Sequence, residues 1–318
     1  MKRTKRTFQL ILLILLVSAC SQTNLTPIPK NQSLIASLNI YDQTITFIES
    51  DTQQIVTWDI PHPFKNGLFI SDDQLLLLNK EADESYLYEL STGKSTKWNL
   101  GTGIETALVS NNMVYFANQD EKKVQIVNKH GDLVKEASLE YTPYFLFEQN
   151  DYLYVSYLDH ASITVLSKKD IELVDSFQAI KGASGGLVQN NELWLGGHGT
   201  GEHIQEEVYV YDLSQRQQLT KIPAPIMPVD FAVYQNSIYV LSHGSNTLRE
   251  FKLSTHKEIR SLEVGANPFS MVLSGHLLYI SSYDANEVNV IDLLTFEQVK
   301  TIPVGDGPLH LLNREGEN

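Results

Sequence analysis

From residue 33 onward, short runs of β-branched, leucine and aromatic residues alternate with clusters of Asn, Asp, Gly, Ser and Thr. Runs of this length and content predict strands divided by turns rather than helices. The pattern repeats: residues 238–265 (IYVLSHGSNTLREFKLSTHKEIRSLEVG) align without a gap on residues 278–305 (LYISSYDANEVNVIDLLTFEQVKTIPVG). Tyr239 falls on Tyr279, Asn246 on Asn286 and Thr255 on Thr295, while Pro228, Pro268 and Pro308 keep the same step of forty. In the last copy, strands are expected at 277–281, 288–292 and 299–304, and 265–268 (GANP) is expected to lead into an inner strand over 269–273. A forty-residue unit of short strands is the mark of a propeller blade.

Equivalents of the strand 277–281 recur at 34–38, 75–78, 113–117, 152–156, 192–196 and 237–241, which makes seven. From Leu76 through Tyr115, Tyr154, Trp194 and Tyr239 to Tyr279 the spacings are 39, 39, 40, 45 and 40 residues. Trp58 and Trp98 repeat at the same period in the outer strands. The series starts on a second strand and ends on an inner-strand lead (307–312, GPLHLL). The expected fold is therefore all-β, a seven-bladed β-propeller over 33–318. The C-terminal strand is expected to complete the first blade and remove the open edges that invite aggregation.

Tyr279, the run 288–292 (VNVID), Thr295, Val299, Ile302, Val304-Gly305 and Pro308 resemble the YVTN-type β-propeller repeat of YncE-like proteins. That resemblance implies an extracytoplasmic protein.

The N-terminus reads as a targeting device over 1–19. Lys2, Arg3, Lys5 and Arg6 precede an apolar run over 8–17, broken only by Gln9 and too short for the roughly 20 residues that span a bilayer. Residues 17–20 (VSAC) follow and resemble the bacterial lipobox, in which the thiol of the cysteine is alkylated with diacylglycerol and the signal is cut before it. Cys20 is the only cysteine, so no disulfide or cysteine-based zinc site can form within the chain. The alternative is an ordinary secretory signal with an incidental cysteine. Lipid on Cys20 would provide the membrane attachment, since two acyl chains anchor stably where one is marginal. Residues 20–32, polar and with Pro27 and Pro29, are expected to be a tether.

Removing residues 1–19 takes away four basic and no acidic residues, so the formal charge moves from −14 to −18. Such a body disfavours nucleic acid and anionic polymers as partners. An envelope protein or a small ligand is the expected partner, and the propeller is expected to be a monomer.

In a four-stranded blade, the loop entering the inner strand and the loop between strands two and three share one face, around the mouth of the central channel. The inner-strand leads place Glu105, Tyr144, Ser184, Asp230, Phe269 and His310 there; the other loops add Tyr157, Asp159, His160, His198, His203, His243, Tyr283 and Asp284. The strongest local departure is 196–203 (GGHGTGEH), which supplies the five extra residues before Tyr239. With His198, Glu202 and His203 it suits a metal or a small polar ligand. It equally suits a solvated hairpin, because glycines raise the cost of ordering a loop. No cofactor is implied, and a metal stays possible. No nucleophile elbow, H-E-x-x-H or P-loop is present. The repeated Asp212 and Asp292 are expected to cap turns on the opposite rim. Two functions fit: a lipid-anchored extracytoplasmic binding or assembly module with His160, His198, His203, His243 and Tyr283 among its contacts, or a propeller enzyme of lactonase or dehydrogenase type using Glu105, Asp230 and His310.

Overall fold

The second strand of each blade is buried along nearly its whole length and the outermost strand is mostly exposed, and the strands assemble into seven four-stranded antiparallel sheets. The computed structural model describes residues 25–201 and 203–316, so Cys20, the targeting segment and Glu202 lie outside the described residues. The first blade takes Leu34–Asn39, Thr44–Glu49 and Ile55–Asp59 from the start of the chain and its inner strand, Pro308–Arg314, from the end. The other six blades are consecutive in sequence, and the last ends with Glu297–Pro303. The fold is a seven-bladed β-propeller closed by its C-terminal strand, as the forty-residue period predicts.

Each blade is a thin sheet, so the core lies between blades. Tyr115, Tyr154, Trp194, Tyr239 and Tyr279 stand third in their strands and are nearly fully buried. A device invisible in the repeat alignment meets them. In every blade, the turn before the outermost strand carries one residue in the left-handed backbone region: Gln53, Gly93, Gly131, Ile171, Arg216, His256 and Phe296. The amide N–H of that residue closes a tight turn, as from His256 N to Lys252 O at 2.8 Å. Where a side chain is present it latches onto the preceding blade. Gln53 reaches the hydroxyl of Tyr279, His256 packs edge-on to Trp194 at 5.2 Å, and Phe296 lies 6.3 Å from Tyr239.

The junction between blades one and two departs from this rule. Its aromatic position is Ala36 and its latch is Gly93, so side chains are missing on both sides. The N-terminal segment fills the space. Ile28 is 2% exposed and packs with Ala36, Phe47, Trp58 and Tyr88, and a Cβ on Gly93 would sit 2.8 Å from the Cβ of Leu25. The Trp58 indole donates to the Thr26 carbonyl at 2.7 Å, Ile28 N to Leu90 O at 2.9 Å, and Lys30 pairs with Asp73. Buried Arg314 donates to the carbonyls of Pro29, Gln32 and Asp72. This corrects the expected tether over 20–32: within the described residues, 25–32 is a docked strap. The physical reason is that Ala36 and Gly93 leave room at this junction, into which Leu25 and Ile28 pack.

Candidate functional site

Pairing registers show how the inner strands aim side chains at the channel. In blade three Ile104 pairs with Asn118 and Thr106 with Ala117, which leaves Glu105 as a bulge; Val229 and Leu309 are skipped in the same way in blades six and one. A bulged residue is re-aimed out of the ladder. Glu105, Val229 and Leu309 thus point into a mouth cavity of about 410 Å³ to which all seven blades contribute. Around it stand Tyr144, Ser184, His198 and Phe269, with Lys65, Lys80 and Glu81 on the side of blade two. Lys80 neutralises Glu105 through an ion pair of 2.5 Å. Burial, with the Glu105 charge nearby, pushes the Tyr144 phenol upward.

Asp230 and His310 are not equivalents of Glu105, although they belong to the same leads. The registers place them one residue further, where Ser270 stands in blade seven, and therefore deeper in the channel. Asp230 is not part of the mouth cavity. Its carboxylate accepts from Phe231 N at 2.8 Å and from Met271 N at 2.6 Å, tying blade six to blade seven. Burial outweighs those bonds and lifts its pKa to about 6. Ser270 Oγ continues the chain by accepting from Leu311 N of blade one at 3.1 Å. His310 borders the cavity, and burial depresses its pKa to about 4.

Of the four loop histidines, the fold brings two together. His198 and His243, from blades five and six, have ring centres 5.3 Å apart. Glycine makes the approach possible: a Cβ on Gly197 would stand 2.9 Å from Ser184 N, and one on Gly196 would collide with the Pro228 carbonyl. His198 Nδ1 bonds Ser184 Oγ at 3.1 Å, and His243 Nδ1 donates to the Pro268 carbonyl at 3.3 Å. Burial holds both imidazoles below the usual histidine range; a charge on His243 depresses His198 further, while the Pro268 carbonyl and Asp284 partly offset burial at His243. Phe269 lies 4.1 Å from His243 and 5.2 Å from Tyr283, and Tyr283 lies 5.4 Å from Tyr41. The result is an aromatic arc over blades five, six, seven and one. Tyr41 was missed by sequence reasoning, because an isolated tyrosine in a turn gives no sign of its neighbour across the closure.

His160 and His203 stand apart from the pair. His160 stacks flat on Tyr141 at 3.6 Å and bonds Ser162. His203 is exposed on a small hairpin held by the Gly199–Ile204 bridge. Among the described residues no three His, Cys, Asp or Glu side chains converge as a metal cage. On the opposite rim, Asp212 Oδ1 accepts from Ser214 N and Gln215 N, and Asp292 Oδ1 from Leu294 N, the expected turn caps.

No protein-family model matches the chain. No curated protein sequence matches it either. Solved structures do resemble it in fold. Apo AztD from Citrobacter koseri shares 12% identity over 90% of this chain and 98% of its own, with a TM-score of 0.64. The computationally designed Ika8 protein shares 15% identity, covers 90% and 92%, and has a TM-score of 0.66. Dihydro-heme d1 dehydrogenase NirN in complex with DHE shares 12% identity over 87% of this chain and 64% of its own, with a TM-score of 0.67. Identities this low show the β-propeller fold alone.

Proposed function

We propose that this chain is an extracytoplasmic, lipid-anchored propeller that binds a small ligand or an envelope protein at its channel mouth. One observation carries the binding reading: residues from all seven blades, three of them from bulged inner-strand leads, converge on a single cavity bordered by an aromatic arc. Mostly apolar walls with a few placed polar groups are the usual make-up of a binding site. The lipobox-like Cys20 and the preceding basic and apolar segments support the anchor. An enzyme reading would require Glu105, Asp230 and His310 to act together. Glu105 is instead ion-paired with Lys80, and both oxygens of Asp230 are engaged by backbone amides. That arrangement favours binding over catalysis.

The test compares the two faces. Phe269→Ala with Tyr283→Ala alters the arc, whereas Asp212→Ala with Asp292→Ala alters the opposite rim. Native mass spectrometry of protein purified from envelopes, together with pull-down, measures what each variant retains. The arc variant is expected to lose the retained ligand or partner at an unchanged melting temperature. Loss confined to the rim variant would reverse the choice of face.

A further inference from the structure

We infer that His198 and His243 together form a two-imidazole site for a borderline divalent cation of the Zn²⁺ or Cu²⁺ class, open to an external ligand at the mouth. The inference does not depend on the lipid anchor; because His198 also lines the mouth cavity, it deepens the binding reading of that site, and its test uses the cation alone.

Geometry is the first support. An imidazole nitrogen lies about 1.1 Å from its ring centre and roughly 2.0–2.1 Å from a bound Zn²⁺, so two rings sharing one ion near a tetrahedral angle have centres about 5 Å apart. The observed separation is 5.3 Å. Tautomer is the second. His243 Nδ1 donates to the Pro268 carbonyl, so the unprotonated nitrogen of its neutral ring is Nε2; on His198, Nδ1 is engaged with Ser184 Oγ. A ligating histidine commonly gives its other ring nitrogen to such a partner, which fixes the ring and raises its basicity. Preorganisation is the third. The tight seats of Gly196 and Gly197 fix the backbone immediately before His198.

Two protein ligands leave coordination positions for water or an incoming donor, as in sites that keep an open position rather than closed structural ones. Imidazole donors suit Zn²⁺ and Cu²⁺, and the affinity order favours Cu²⁺, which is also visible by electron paramagnetic resonance. The acidic body attracts cations non-specifically, so the readout must report nitrogen ligation and not merely retention.

The experiment titrates Cu²⁺ alone, then Zn²⁺ in competition, into the full chain purified without a polyhistidine tag. One Cu²⁺ per chain is expected, with a resonance spectrum showing two nitrogen ligands, and Zn²⁺ should displace it. His198→Ala and His243→Ala should each weaken binding by roughly tenfold or more and remove one nitrogen from the spectrum, as deletions of ligand support do. His160→Ala and His203→Ala should bind as the parent does. If the two alanine variants of the pair keep the parent's affinity and nitrogen signature, or the parent's spectrum shows oxygen ligation only, the inference is overturned. Equal melting temperatures for all four variants exclude misfolding as the cause of any loss, and Ser184→Ala gives a second check, expected to weaken binding while leaving both nitrogens in the spectrum.

Discussion

Asp230 and His310 occupy equivalent steps on inner strands two blades apart, and their titrations oppose one another. Asp230 has its folded pKa raised from 3.8 to about 6, so the stability it contributes is present at low pH and is lost as pH rises through 6. His310 has its folded pKa lowered from 6.5 to about 4, so its contribution is present above 6.5 and is lost as pH falls towards 4. Between about pH 4 and 6 the two slopes cancel in part. Asp230→Asn is expected to gain stability relative to the parent as pH rises through that window, and His310→Asn to lose it. Urea unfolding at several pH values measures both. Parallel curves for parent and variants would show that neither group titrates as its burial dictates. Both residues keep intermediate exposure, which limits each effect to about a few kcal/mol. Sequence reasoning grouped these two residues with Glu105, since the leads look alike in the chain. The bulge that separates the two levels is a matter of pairing register, which a single sequence does not record.

Strands, turns and blade count were legible because the repeat period and the aromatic third position are properties of side-chain type. The latches were not, since Gln53, Ile171, Arg216, His256 and Phe296 share no chemistry, only a positive backbone φ. The same gap hid the strap: nothing in residues 25–32 reveals that Ala36 and Gly93 leave room for it. The pairing of His198 with His243 was half legible. Their loops are equivalent, yet His203 has the same residue type and hangs on a hairpin. Two predictions belong to this scale. Ile28→Ala removes a side chain buried among blades one and two and is expected to cost about 2–5 kcal/mol, read as a lowered denaturant midpoint. Truncation after Gly307 removes the inner strand of blade one, with buried Leu311, Leu312 and Arg314. Each leucine contributes about 1.5–3 kcal/mol on burial, so melting should fall by roughly 10 °C or more. A truncated chain melting within a degree or two of the parent would mean that the ring closes by other contacts.

At the scale of the whole molecule, the docked strap gives the disc two unlike sides. Leu25 and Ile28 rest on the turns of blade two at Gly93 and Leu90, on the rim away from the mouth. On the proposed anchor, Cys20→Ala should abolish palmitate labelling, and labelling that persists would overturn that anchor. Leu25 lies five residues along the chain from Cys20, and five extended steps reach roughly 18 Å at most. If that anchor holds, a disc tied so closely by one rim would be kept from turning over. Its capped turns would hover above the lipid head groups, and the mouth would open outward, sampling solutes and proteins that diffuse past instead of lipids beneath. Because the chain has a single cysteine, one introduced thiol reports which way a surface looks. Ala285→Cys, beside the arc, should react quickly with a bulky maleimide on membrane-bound protein, while Leu294→Cys, exposed on the opposite rim, should react slowly until detergent releases it. Equal rates at the two positions would mean a disc that tumbles on its leash, with neither side shielded.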